Sequence, residues 1–185
     1  MVTPPMNELQ SPSLFHQLLG DSFERLPAGI RSVHSGAASA WFSGRCAVVR
    51  SQGWLARLAA TLARMPPAAD AVPLRIQIAA DAGGETWNRY FGDCLLRSRM
   101  HAHRGLLVER LGLLTIGFRL EASPQQIRWL PQSGKVLGIP LPASFFKGIE
   151  ASESMRDERY EFDVRAALPV VGLVIHYRGW LDSCG

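Results

Sequence analysis

Apolar residues along this chain change rhythm at about residue 66. Before it they recur at three- and four-residue steps. Leu14, Phe15, Leu18, Leu19, Phe23 and Leu26 make one stripe, predicting a helix from an N-cap at Ser13 to about Leu26, where Pro27 ends it. A second helix is predicted from Trp54 to Met65, with Leu55, Leu58, Ala59 and Leu62 as its buried face and Pro66-Pro67 as its stop. Between the two, Val33 to Arg50 reads as a strand, with Cys46/Val48 and Ala47/Val49 on its two sides and both covered.

From Val72 onward the period is two. Leu74, Ile76 and Ile78 alternate with Arg75 and Gln77, and Trp87, Arg89 and Phe91 alternate with Asn88 and Tyr90. Gly92-Asp93 reads as a two-residue hairpin turn. In Cys94–His103, Leu96, Ser98, Met100 and Ala102 share one face, and Leu95, Arg97, Arg99, His101 and His103 the other. Strands follow through Leu106–Leu111, Leu113–Glu121 and Ile127–Leu130, joined by short turns. The prolines of GIPLP restrict that stretch to an edge strand or stiff loop, and Ala143–Lys147 fits one helical turn. Tyr160, Phe162, Val164 and Ala166 alternate with Glu161, Asp163 and Arg165; after Pro169, the apolar run Val170–Ile175 reads as a strand covered on both sides. Short links without helical crossovers call for antiparallel pairing. The expected fold is α+β, mainly β: a curved antiparallel sheet or a calycin-like barrel or half-barrel of about eight strands. Two amphipathic helices in the N-terminal half cover one opening or face. Residues 1–12 read as a flexible arm and 13–185 as one domain.

Composition adds little to this. Hydrophobic residues make up 47% and charged residues 19%, as in a globular rather than a disordered chain. No apolar run reaches membrane-spanning length, and the first residues lack the basic and apolar regions of a secretory signal, so a cytoplasmic location is expected. Three cysteines without CxxC spacing argue against a disulfide framework or zinc knuckle. The net charge is +4, and 18 of the 20 basic residues are arginines spread singly, with no nucleic-acid motif beside them. Nucleic acid is therefore not an expected partner.

Candidate chemistry is thin. Arg97, Arg99, His101 and His103 form a column on one strand face, with Arg89, Arg110 and Arg119 within reach on neighbouring strands. Inside a barrel this column would grip an anion; outside, it is a solvated face paired with Glu109 or Glu121. His101 and His103 would supply two metal ligands, but no third is identifiable, and no metal or cofactor is expected. His176 and Arg178 either face a pocket lined by Trp87, Phe118 and Trp129, or belong to an aromatic cluster closing the core. The carboxylates from Glu150 to Asp163 read as an exposed hairpin, and no residue is assigned a catalytic role.

LFHQLLGDSFERLP, GIPLP and FDVRAALPVVGLVIHYRGWL together resemble an uncharacterised bacterial family of domains of unknown function, over Leu14 to Leu181. Members occur alone or as C-terminal extensions of saccharopine-dehydrogenase-like oxidoreductases. The chain lacks a Gly-rich dinucleotide fingerprint, so the resemblance implies the extension without the reductase. It supplies no catalytic residues. The function expected is a non-catalytic binding module for an apolar or amphipathic, lipid-like small molecule with an anionic group, held by Arg97, Arg99, His101, His103, His176, Arg178, Trp87 and Trp129. An interior filled by side chains, with no cavity above about 300 Å³, would remove this reading. The rivals are an enzyme or accessory domain working with an oxidoreductase partner, and a protein-interaction domain.

Overall fold

A computed structural model describes residues 12–182; the proposed N-terminal arm, apart from Pro12, and Cys184 lie outside the described residues. Eleven strands alternate in and out along the chain: β1 (Ala40–Arg50), β2 (Ala69–Asp81), β3 (Gly84–Phe91), β4 (Cys94–His103), β5 (Leu106–Leu111), β6 (Leu114–Ser123), β7 (Gln126–Val136), β8 (Ile139–Pro140), β9 (Gly148–Arg156), β10 (Arg159–Leu168) and β11 (Gly172–Leu181). Each pairs antiparallel with its chain neighbour from β1 to β7, β9 pairs with β7 and β10, and β11 pairs with both β10 and β1. The ring of ten strands is therefore closed, and β8 is a two-residue flap on the end of β7. A closed wall leaves no unpaired edge, which an open sheet of this length would have to protect.

The seam between β1 and β11 needs two glycines. Gly44 faces Leu181 and Gly179 faces Cys46 in the register. A Cβ at Gly44 would meet the Trp180 carbonyl, and one at Gly179 the Arg45 carbonyl, so the backbones approach where no side chain fits.

Ser13 caps the first helix as expected, accepting the His16 backbone N–H at 3.2 Å. The helix is not continuous to Leu26, however. It breaks at Gly20, whose φ of +53° closes α1 (Leu14–Leu19) and leads into α2 (Asp21–Glu24). Pro27 stops this segment but also starts another helix, α3 (Ala28–Val33), since proline suits the entry to a helix. Val33 is thus helical and the strand starts only at Ala40.

These three short helices plug one end of the barrel. Phe15, fully buried, stacks on His34 with ring centroids 3.6 Å apart and lies 5.7 Å from Trp129. The helix α4 (Trp54–Leu62) crosses the opposite mouth: it packs on β11, while its Leu62 carbonyl lies against Gly112 in the β5–β6 turn. Its buried residues are Ala56 and Ala60, followed by Ala63, whereas Leu58 and Leu62 are half exposed. The face expected inside is thus only partly so: Leu55 and Ala59 are half-buried and Leu62 borders the interior, but Leu58 is half exposed, and the small alanines are the residues buried against the mouth. Two more expectations are corrected at this end. Val49 is exposed, so β1 is covered on one side only, and Val170 sits fully exposed in the β10–β11 turn and not in a strand.

Candidate functional site

Inward positions of β3, β4 and β5 place charged groups inside the barrel. On β3 every second residue, Glu85, Trp87, Arg89 and Phe91, is buried. Arg89 donates through Nη1 to Ser98 Oγ on β4 at 2.9 Å and through Nη2 to Glu109 Oε1 on β5 at 3.3 Å. Its guanidinium also lies 4.8 Å from the Trp87 ring centroid. A buried charge needs such partners, because desolvation alone would cost several kcal/mol per ion. Tyr177 on β11 stands near this pair, and burial pushes its phenol up to about 12.

A second polar group joins the helical plug to the wall. His34 Nε2 lies 2.5 Å from Glu153 Oε2 on β9. Burial, and then the negative charge of Glu153, hold the Tyr160 phenol well above its ordinary value. Trp87 Nε1 donates to Glu85 Oε2 at 2.9 Å, while burial raises the Glu85 carboxyl above its ordinary value. Glu85 Oε1, His34 Nδ1 and Trp129 Nε1 are buried and have no hydrogen-bond partner among the described residues. Most buried polar atoms do have one.

Between this cluster and α4 lies a cavity of about 240 Å³. Its wall is mostly apolar, with Ile76, Leu96, Ile116 and Phe162 among the lining, and Arg89, Glu109, Trp129, Glu153, Tyr160 and Tyr177 are among its polar residues. Leu62 and Leu113 line the cavity and are also half exposed, so they mark where it reaches the surface.

The residues singled out from sequence divide cleanly. Trp87 and Trp129 line the cavity. Arg97, His101 and His103 are exposed on the outer face of β4, and Arg99 there donates to Asp81 through both terminal guanidinium nitrogens, Nη1 and Nη2. Among the described residues no group of three metal-ligating side chains exists. His176 and Arg178 also point outward; His176 Nε2 lies 2.9 Å from Asp163 Oδ1, and Arg178 borders a polar hollow of about 560 Å³ on the outer wall with Arg45 and Trp180. Glu109, expected beside the outer column, is inside with Arg89, and Glu153, expected in an exposed hairpin, is buried. The interior charges were missed, although Glu85-x-Trp87-x-Arg89-x-Phe91 shares one strand face with large apolar residues, and that phase was the available signal.

The fold and interior together define a closed, ten-stranded antiparallel barrel, plugged at one end by helices and hollow toward the other. The chain belongs to DUF4166, a family of domains of unknown function whose model matches residues 26–181. No curated protein matches it. It is similar to Rv2717c from M. tuberculosis, a crystal structure with 12% sequence identity and a TM-score of 0.44, over 86% of this chain and 99% of that one. Among the described residues no helix is long and apolar enough to cross a membrane.

Proposed function

We propose that this barrel is a binding module for a small, largely apolar molecule that carries a hydrogen-bonding group. The observation that supports it is the 240 Å³ cavity, apolar in its wall and bordered by Arg89, Glu109, Trp129 and Tyr177. Ligand pockets usually begin at about 300 Å³, so this interior falls short of the floor set from the sequence. The shortfall removes the lipid-like ligand with an anionic group expected from the sequence, and the volume suits only a short chain or single ring. The expected anionic head is disfavoured too. The interior arginine is already neutralised by Glu109, and a second carboxylate beside Glu109 would be repelled. A neutral hydroxyl or carbonyl fits better, as a carbonyl could accept from Trp129 Nε1.

The test is native mass spectrometry of protein purified from its own host, followed by titration of 1-octanol and octanoate against Trp87 and Trp129 fluorescence. Octanol is expected to change the emission and octanoate to do so at least about tenfold more weakly, as one factor of ten corresponds to about 1.4 kcal/mol. Ala151→Leu, which fills the cavity, should abolish both responses. A saturating response unchanged in Ala151→Leu, or none to either compound with no co-purified molecule, would remove the reading.

A further inference from the structure

The α4 end of the barrel is apolar where it should be polar. Trp54, Leu58 and Leu62 recur every four residues along α4 and are 73%, 50% and 48% exposed. Around the same mouth stand Leu113 in the β5–β6 turn, Leu137 in the turn before β8, and Val170 in the β10–β11 turn. The opposite end, closed by α1–α3, has polar and glycine-rich turns: Asp81-Ala82-Gly83, Arg104-Gly105, Pro124-Gln125 and Asp157-Glu158.

Two of these tips are chosen against local physics. Leu137 has φ +53° and Val170 φ +65°, a left-handed conformation that favours glycine or asparagine and is worst for a β-branched side chain. Val170 is also 99% exposed. Neither turn geometry nor burial within the chain accounts for valine there. Strained residues that fold stability does not explain point toward function.

Cations accompany the tips. Arg57 and Arg64 on α4 and its exit, and Lys135 and Lys147 across the mouth, are exposed. Among the described residues none of the four is in an ion pair. Asp70, Asp93 and Glu150 are the carboxylates near this end, so cations outnumber them, and the whole chain is net positive at +4. Separate apolar tips set among unpaired cations match an anionic lipid surface, into which the tips insert while the cations meet the headgroups.

We infer that the α4 mouth is a docking face for anionic lipid bilayers, with Trp54, Leu137 and Val170 entering the interface and Arg57, Arg64, Lys135 and Lys147 facing the headgroups. This does not depend on the proposed ligand, since none of the three inserting residues lines the cavity.

The test is co-sedimentation with sucrose-loaded vesicles of phosphatidylcholine, with and without about one quarter phosphatidylglycerol. Wild type is expected to bind the anionic vesicles and to lose most of that binding as salt rises from about 0.1 to 0.5 M, where the Debye length falls well below 10 Å. The triple variant Trp54→Gln, Leu137→Asn, Val170→Asn should bind at least about tenfold more weakly, a loss of roughly 1.4 kcal/mol or more. It removes no buried side chain and puts asparagine at both left-handed positions, so its melting temperature should not fall. A second variant, Arg57→Gln with Lys135→Gln, should lose binding to anionic vesicles and leave binding to neutral ones unchanged. No binding by wild type to anionic vesicles, or undiminished binding by the triple variant, would overturn the inference. So would a wild-type dimer, by light scattering, that the triple variant dissolves while vesicles are ignored.

Discussion

Arg89 and Glu109 meet inside the barrel across the intervening strand β4, 3.3 Å apart, with their side chains only 9% and 8% exposed. Ser98 on β4 fills the space between them as an acceptor for Arg89. Breaking such a pair leaves one buried charge without its partner, which costs about 3–5 kcal/mol. Arg89→Met alone is therefore expected to lower stability by that amount in urea unfolding. The double variant Arg89→Met, Glu109→Gln should recover more than half of the loss. If the double variant is no more stable than the single one, the pair is not the reason for the cost.

Two carboxyls close in sequence should push the pH dependence of stability in opposite directions. Arg99, and then the Gly83 N–H, hold Asp81 down at about 2. Its contribution is present above its ordinary value near 3.8 and is lost as pH falls toward 2. Glu85 is raised by burial, so the folded state holds its proton more tightly than the unfolded one. That costs stability as pH rises above the ordinary glutamate range. Glu85→Gln should therefore raise the melting temperature at pH 7 and leave it almost unchanged at pH 4, read by circular dichroism. An equal shift at both pH values would show that packing, not ionisation, is responsible.

Thiol chemistry should separate Cys46 from Cys94. Cys46 is buried on β1, and desolvation raises its thiol to about 11. Cys94 is half-buried at the start of β4. In a Cys184→Ser background at pH 8, an aromatic disulfide reagent should modify Cys94 in the native protein and reach Cys46 only at the rate of unfolding. Rapid release of two thiols before unfolding would contradict the closed seam at β1–β11.

The period-two pattern made most of the wall legible, because closing a sheet forces inside and outside to alternate at every strand. Gly92-Asp93 is the turn expected, with Phe91 and Cys94 paired across it. Other parts were hidden for physical reasons. Whether a strand's polar face looks in or out depends on which face the sheet curves toward, and local periodicity does not hold that information. Arg97 and Arg89 therefore looked alike, although one is solvated and the other buried. The leucine stripe of α4 obeyed the rule for a core helix and broke it in the fold. The alanines sit against the barrel, and Leu58 is left outside. α3 is hidden because a proline after an apolar stripe signals a helix stop, whereas Pro27 also opens the next helix.

Val170 offers a way to weigh stability against attachment at one position. Val170→Asn should stabilise the fold by about 1 kcal/mol, since asparagine tolerates the left-handed region and valine does not. The same substitution should weaken vesicle binding. A variant that melts higher and binds vesicles as well as wild type would mean that the strain serves something else.

The pairing of Gly44 with Leu181 joins the first strand of the wall to the last. During synthesis, β1 emerges long before β11, and until β11 arrives the free edges of β1 and β10 stay open to neighbouring nascent chains. Contacts this distant along the chain also slow the final step. Closure of this wall is therefore most vulnerable to aggregation while β11 has yet to join β1 and β10.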